Sequence, residues 1–226
     1  MKDIIFELYT IIKKEVNCFL KSNIAVFVVY GILVFVWSFL PIYNNLGSFA
    51  FGNAVWWLFF SVIVSGNFAN TVFVAERING TIEILVTCGF SRTGVLVGKI
   101  VFIIMMSLII GILCFALSLV WIFLLNIQNL FINKFLINYA ILYLSGTILN
   151  TCAGAWMSIR FSSPRLIPFV NILLIGIVIG LFYAFYFTIG ISVWFLSVLL
   201  LFFAIIFFFL ARKDFLGEKI ISPVDI

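Results

Sequence analysis

The chain has 226 residues, of which 65% are hydrophobic, 19% aromatic and 9% charged, with no histidine at all. Those proportions lie far outside a water-soluble globular domain and remove every histidine metal ligand, so the sequence reads as an integral membrane protein. Its formal charge of +5 is scattered over several short segments and forms no single patch, so it is a topology signal and not a nucleic-acid footprint.

A hydrocarbon core about 30 Å thick needs about 20 apolar residues as helix, and only helices or closed barrels satisfy the backbone there. Barrel strands alternate polar and apolar residues, whereas the runs here are continuously apolar, so the expected fold is all-α. The first element, residues 1–23, is amphipathic. Asp3, Glu7, Thr10, Lys14, Asn17 and Lys21 recur at helical spacing, with Ile5, Leu8, Ile12, Val16 and Phe19 on the other face. Such a helix lies in the headgroup region with its lysines toward anionic lipid, or packs on the protein's own bundle. It does not read as a cleavable signal peptide, because the charged lead is long, the next apolar run is span-length and no small-residue cleavage site follows.

Six spans are expected over 24–211, at about 24–43, 54–74, 100–125, 135–158, 166–187 and 190–211, followed by a tail at 212–226. The links are an uncharged turn segment at 41–53, a charged loop at 75–99, an Asn-rich stretch at 126–134, "RFSSPR" at 160–165 and a short turn near Gly190. With six spans both termini share a side. Twelve of the 13 Lys and Arg residues fall there and only Lys134 falls opposite, so the positive-inside rule makes that side cytoplasmic.

The spans carry no charged side chain, which argues against proton-coupled transport and most intramembrane enzyme chemistry. Amides such as Asn67, Asn70, Asn150 and Asn171 either pack helices together or line a translocation path. "GIVIG" at 176–180 and the small-residue run "LSGTILNTCAGAW" at 144–156 permit close helix approach, within the subunit or between two copies. Cys18, Cys88, Cys114 and Cys152 show no metal or redox spacing. "GVLVGKI" at 94–100 falls short of a phosphate-binding loop: one residue too few separates its glycines, and Ile100 stands where Ser or Thr must hold magnesium. If ATP drives this protein, another subunit hydrolyses it.

The loop at 75–99 concentrates the charges. Gly80 opens a short helix at about 81–88 with Glu83 near its positive end, Gly89 stops it in left-handed conformation, and Ser91 caps the next helix, which carries Lys99 into the interface. If the second span continues as helix, Glu76, Gly80, Glu83 and Thr87 form one polar stripe. The order "ER-x-x-GT-x-E-x-L", then "SR", then "GK" at the head of a span, resembles the membrane subunits of type 2 ABC (ATP-binding cassette) exporters, over the whole chain.

That resemblance implies a permease subunit, not an enzyme. It would have no cofactor of its own and would pair with a second permease, identical or homologous, and with cytosolic ATPases that hold ATP and Mg. It implies that Glu76, Arg77, Gly80, Thr81, Glu83, Arg92 and Lys99 couple to the ATPase, with Arg160 and Arg165 as a second, smaller contact. The family often has proline shortly before the Ser-Arg pair, where this chain has Gly89 and Phe90. Many relatives also place two re-entrant helices between spans five and six, and the turn here leaves little room for them. A charge-free path suits a hydrophobic or amphipathic peptide, drug or lipid, with sodium or haem as alternative substrates. A non-transporting immunity or complex-assembly protein is the alternative function.

Overall fold

The computed structural model describes residues 2–21, 24–45, 50–78, 80, 84–85, 87–124, 132–160, 169–170, 172–174, 176–177, 179–180 and 193–216. Among these residues the regular elements are all helical. They are α1 (Lys2–Leu20), α2 (Ile24–Asn45), α3 (Ala50–Ala69) running through a π-helical stretch (Asn70–Val74) into α4 (Ala75–Ile78), α5 (Arg92–Leu124), α6 (Ile132–Arg160) and α7 (Val193–Leu216). The described residues between 169 and 180 are helical as well.

Three helical stretches, Trp56–Val74, Arg92–Leu124 and Trp194–Phe215, are long and apolar enough to cross a membrane. α1 and α2 qualify only together, as a pair bent by 91°. The sequence expected six spans; the fifth is described only in part, and the turn before the sixth lies outside the described residues. α5 begins eight residues before the expected third span. Its 33 residues make it about 50 Å long, some 20 Å more than the hydrocarbon core needs, so one end projects from the bilayer.

The exterior is apolar: Ile112 is 66%, Phe123 81% and Phe202 60% exposed, a surface suited to lipid tails rather than water. The interior is where the small and hydroxylated residues sit. Ser61, Ser107, Thr147, Asn150 and Thr151 are all buried. Hydroxyls return to their own helix, as when Thr147 donates to Tyr143 O at 2.7 Å, or cross between helices, as when the Tyr143 hydroxyl donates to Ser107 O at 2.7 Å. Trp57 stacks on Phe115 with centroids 3.9 Å apart, filling the space beside them.

Glycine sets the closest approaches. A Cβ on Gly146 would lie 2.5 Å from Ser61 Oγ, so α6 reaches α3 only because that carbon is missing. The run at 144–156 is therefore an internal packing face. At Gly176 and Gly180 an added Cβ would meet nothing within 4 Å, so "GIVIG" makes no such contact among the described residues.

α1 packs on the start of α5. The expectation of one polar and one apolar face is refined here: Ile11 and Glu15 are buried against the bundle, Leu8 and Phe19 are half-buried, and Ile5, Phe6, Tyr9 and Leu20 are exposed on the far side. The helix therefore has two apolar strips, one for protein and one for its surroundings, which accommodates both placements read from the sequence.

Candidate functional site

Four charges from three elements meet where α1 crosses the head of α5. Lys99 of α5 is fully buried and donates to Glu15 Oε1 of α1 at 2.8 Å, to Glu76 Oε2 of α4, and to Val72 O at 3.2 Å. Lys14 of α1 bridges the same carboxylates, reaching Glu15 Oε1 at 3.3 Å and Glu76 Oε1. Lys99 also stands 5.9 Å from the centre of the Phe73 ring. Two ammoniums and two carboxylates balance, which is the condition for burying them at all.

The local sequence explains the approach. Gly94 and Gly98 are one turn apart on α5 and face α1: a Cβ on Gly98 would lie 2.9 Å from Ile11 Cγ2, and one on Gly94 would lie 2.5 Å from Glu7 Oε2. Without those carbons α1 can settle against α5, and one turn beyond Ile11 its Glu15 comes within reach of Lys99. Ser91 accepts the Gly94 N–H at 3.1 Å, capping α5 as expected, and gives its own proton to Glu7 of α1. "GVLVGKI" is thus interior helix whose glycines seat α1.

The π-helical stretch completes the site. A π-bulge shifts the backbone register and changes which carbonyls are matched within the helix, and such bulges recur at functional positions. Here Val72 O lies inside the bulge and accepts from Lys99.

Burial, the largest influence on Glu76, would raise its pKa. The Lys99 charge and hydrogen bonds from Lys14 and Lys99 outweigh it and hold the carboxyl below its ordinary value of 4.5. Lys14 shows the mirror case: burial would lower its pKa, but Glu76 and Glu15 together hold it above 10.5.

Arg77 works at a second junction. Its Nη1 donates to Ser158 O at 3.0 Å and Ile159 O at 2.9 Å, the last carbonyls of α6, which carry the negative end of that helix. Beside it Arg160 is exposed and pairs with Asp214 of α7 at 3.6 Å, and Trp156 Nε1 donates to the same Asp214 at 3.1 Å. The four residues of α4 thus hold α1 and α5 through Glu76 and α6 through Arg77.

The loop beyond α4 is partly as expected. α4 ends at Ile78 and Gly80 takes φ 67°, so the continuous helix that would put Glu76, Gly80, Glu83 and Thr87 on one stripe is interrupted. Residues 84, 85 and 87 are helical, Gly89 takes φ 90°, and Phe90 N donates to Leu85 O at 3.3 Å, which is the left-handed stop read from the sequence. Arg92 opens α5 and is half-buried. Thr81, Glu83, Arg165 and Asn171 lie outside the described residues.

Lys99 departs most from expectation. The sequence carries it into the interface, and the structure encloses its ammonium wholly, because Glu15, Glu76 and Val72 O supply what water would have supplied. Of the amides, Asn150 is buried and donates to Ser61 Oγ at 3.1 Å across α6 and α3, while Asn67 is exposed and Asn70 half-buried. Sequence reading missed Lys14, Glu15 and Glu7 as site residues. A small-xxx-small pair at Gly94 and Gly98, opposite an i, i+4 series on α1, was the available signal.

No family model matches the chain, and no curated protein matches it.

Proposed function

We propose that this chain is the membrane-spanning permease subunit of an ATP-driven ABC exporter. In this reading it has six spans with both termini cytoplasmic in the plasma membrane. It pairs with a second permease, identical or homologous, and with two cytosolic ATPases that hold the ATP and Mg. The substrate is a hydrophobic or amphipathic molecule, a peptide, drug or lipid. The observation that carries the reading is the Lys99–Glu15–Glu76–Lys14 cluster, which ties an amphipathic helix and the head of a loop to the start of a long spanning helix.

Such a cluster transmits force. A push on α1 or on the loop after α4 is passed to α5, because drawing Glu15 or Glu76 away from the fully buried Lys99 strips that charge of a partner in an apolar interior. Arg77 extends the link to α6. ATP binding would draw the ATPases together, and the loop at 75–99 with α1 would bias the spans between two packings. Glu83, with Arg92 and Arg165, would meet the ATPase.

Affinity purification of the chain from its native membranes in mild detergent, followed by mass spectrometry, tests this. Recovery of a cytosolic ATPase subunit with a phosphate-binding loop is expected. Clean recovery of the chain without one would overturn the proposal in favour of a binding or immunity role.

A further inference from the structure

Between α1 and α2 the bundle forms a half-open cavity of about 270 Å³. Glu15 and Glu76 form its polar wall, and Phe19, Tyr30, Phe68 and Phe102 its aromatic one. The rings brace one another: Tyr30 stacks on Phe68 with centroids 5.2 Å apart and planes 6° from parallel, and Phe19 leans on Phe68 at 5.5 Å. Lys14 and Lys99 are not among the lining residues, so the charged groups the cavity sees are acceptors.

Glu15 is the side chain that asks for a ligand. It is 5% exposed, and Oε1 takes both of its ammonium partners. Oε2 has no hydrogen bond among the described residues. An oxygen in that position takes a proton donor or a cation, and a neutral apolar guest would leave it unmet. The cluster is neutral as a whole, but the carboxylates line the wall and the ammoniums do not, so an anion entering here would meet acceptor oxygens and no donor from the cluster. Ring faces carry the negative side of the aromatic quadrupole and attract ammonium groups, and the volume is just below that of drug-sized sites.

We propose that this cavity is a binding site for a small organic cation, an ammonium group on an aryl or short alkyl body. The carboxylate of Glu15 takes the ammonium end, and the aromatic wall takes the apolar body. The site stands independently of the exporter reading, since it rests on the cavity and its lining alone.

The test is equilibrium binding of radiolabelled benzyltrimethylammonium to the full-length chain in lipid nanodiscs, with empty nanodiscs as the blank. Saturable binding of one cation per chain is expected, displaced poorly by the uncharged carbon isostere 2,2-dimethylpropylbenzene. Glu15→Gln should weaken binding at least tenfold. Val26→Trp fills the cavity from α2 without altering a charge, and should abolish binding while the unfolding temperature stays near that of the parent. The proposal is overturned if the parent binds no more than empty nanodiscs, if the isostere competes equally, or if Val26→Trp binds as the parent does. Should Glu15→Gln fail to fold, the Val26→Trp result decides.

Discussion

Replacing Lys99 with Met removes the charge at the centre of the cluster while keeping an unbranched apolar chain of similar length. The cluster then passes from two positive and two negative charges to one and two. Glu15 Oε1 keeps only Lys14 at 3.3 Å, Glu76 shares that same ammonium, and Val72 O loses its 3.2 Å donor. Breaking a buried ion pair by deleting one partner costs about 3 to 5 kcal/mol. For a chain of this size each kcal/mol corresponds to about 2–4 °C, so the unfolding temperature in detergent should fall by about 6–20 °C. Tryptophan fluorescence reads the transition directly, since six tryptophans are present. The control is Lys99→Met with Glu15→Gln, which leaves one ammonium facing one carboxylate and should recover most of the loss. If Lys99→Met unfolds within about 2 °C of the parent, the cluster is not the brace described here.

Gly98→Ala places a carbon 2.9 Å from Ile11 Cγ2 and should lower stability by about 1 to 3 kcal/mol, read by the same unfolding assay. Adding Ile11→Ala should return part of that loss, and a lack of coupling between the two changes would refute the glycine seat. Arg77→Met should speed amide hydrogen exchange at the end of α6 around Ser158 and Ile159, with exchange in α5 as the unaffected reference. The pH dependence follows from the two shifted groups. Glu76, held below 4.5, contributes stability that is present above that value and lost as pH falls below it. Lys14, held above 10.5, contributes stability that is complete below that value and lost as pH rises beyond it. Unfolding temperature should therefore be level between about pH 5.5 and 9.5 and fall on both sides, and a midpoint near neutrality would contradict the assignment.

What the sequence disclosed were the local features. The amphipathic α1, the left-handed stop at Gly89 and the Ser91 cap each depend on residues within a few positions of one another, so their pattern is visible in one dimension. The burial of Lys99 was not visible, because its partners lie 84 and 23 residues away and nothing near Lys99 marks them. The glycines at 94 and 98 look like part of a phosphate loop, and their spacing equally fits a helix seat; which applies depends on whether α1 returns to that face. At Gly80 the sequence offered two readings, a new short helix opening there or one continuous polar stripe, and its positive φ excludes the second.

The measurement that bears most directly on force transmission is the thiol accessibility of a single cysteine at Phe123, at the far end of α5, in the complex purified from native membranes. The four native cysteines are first replaced by serine or alanine. Labelling should change between the nucleotide-free and the ATP–vanadate states in the parent. It should cease to change in Lys99→Met with Glu15→Gln, whose α1 and α4 have lost their charged tie to α5. An equal nucleotide-dependent change in both would contradict a coupling role for the cluster.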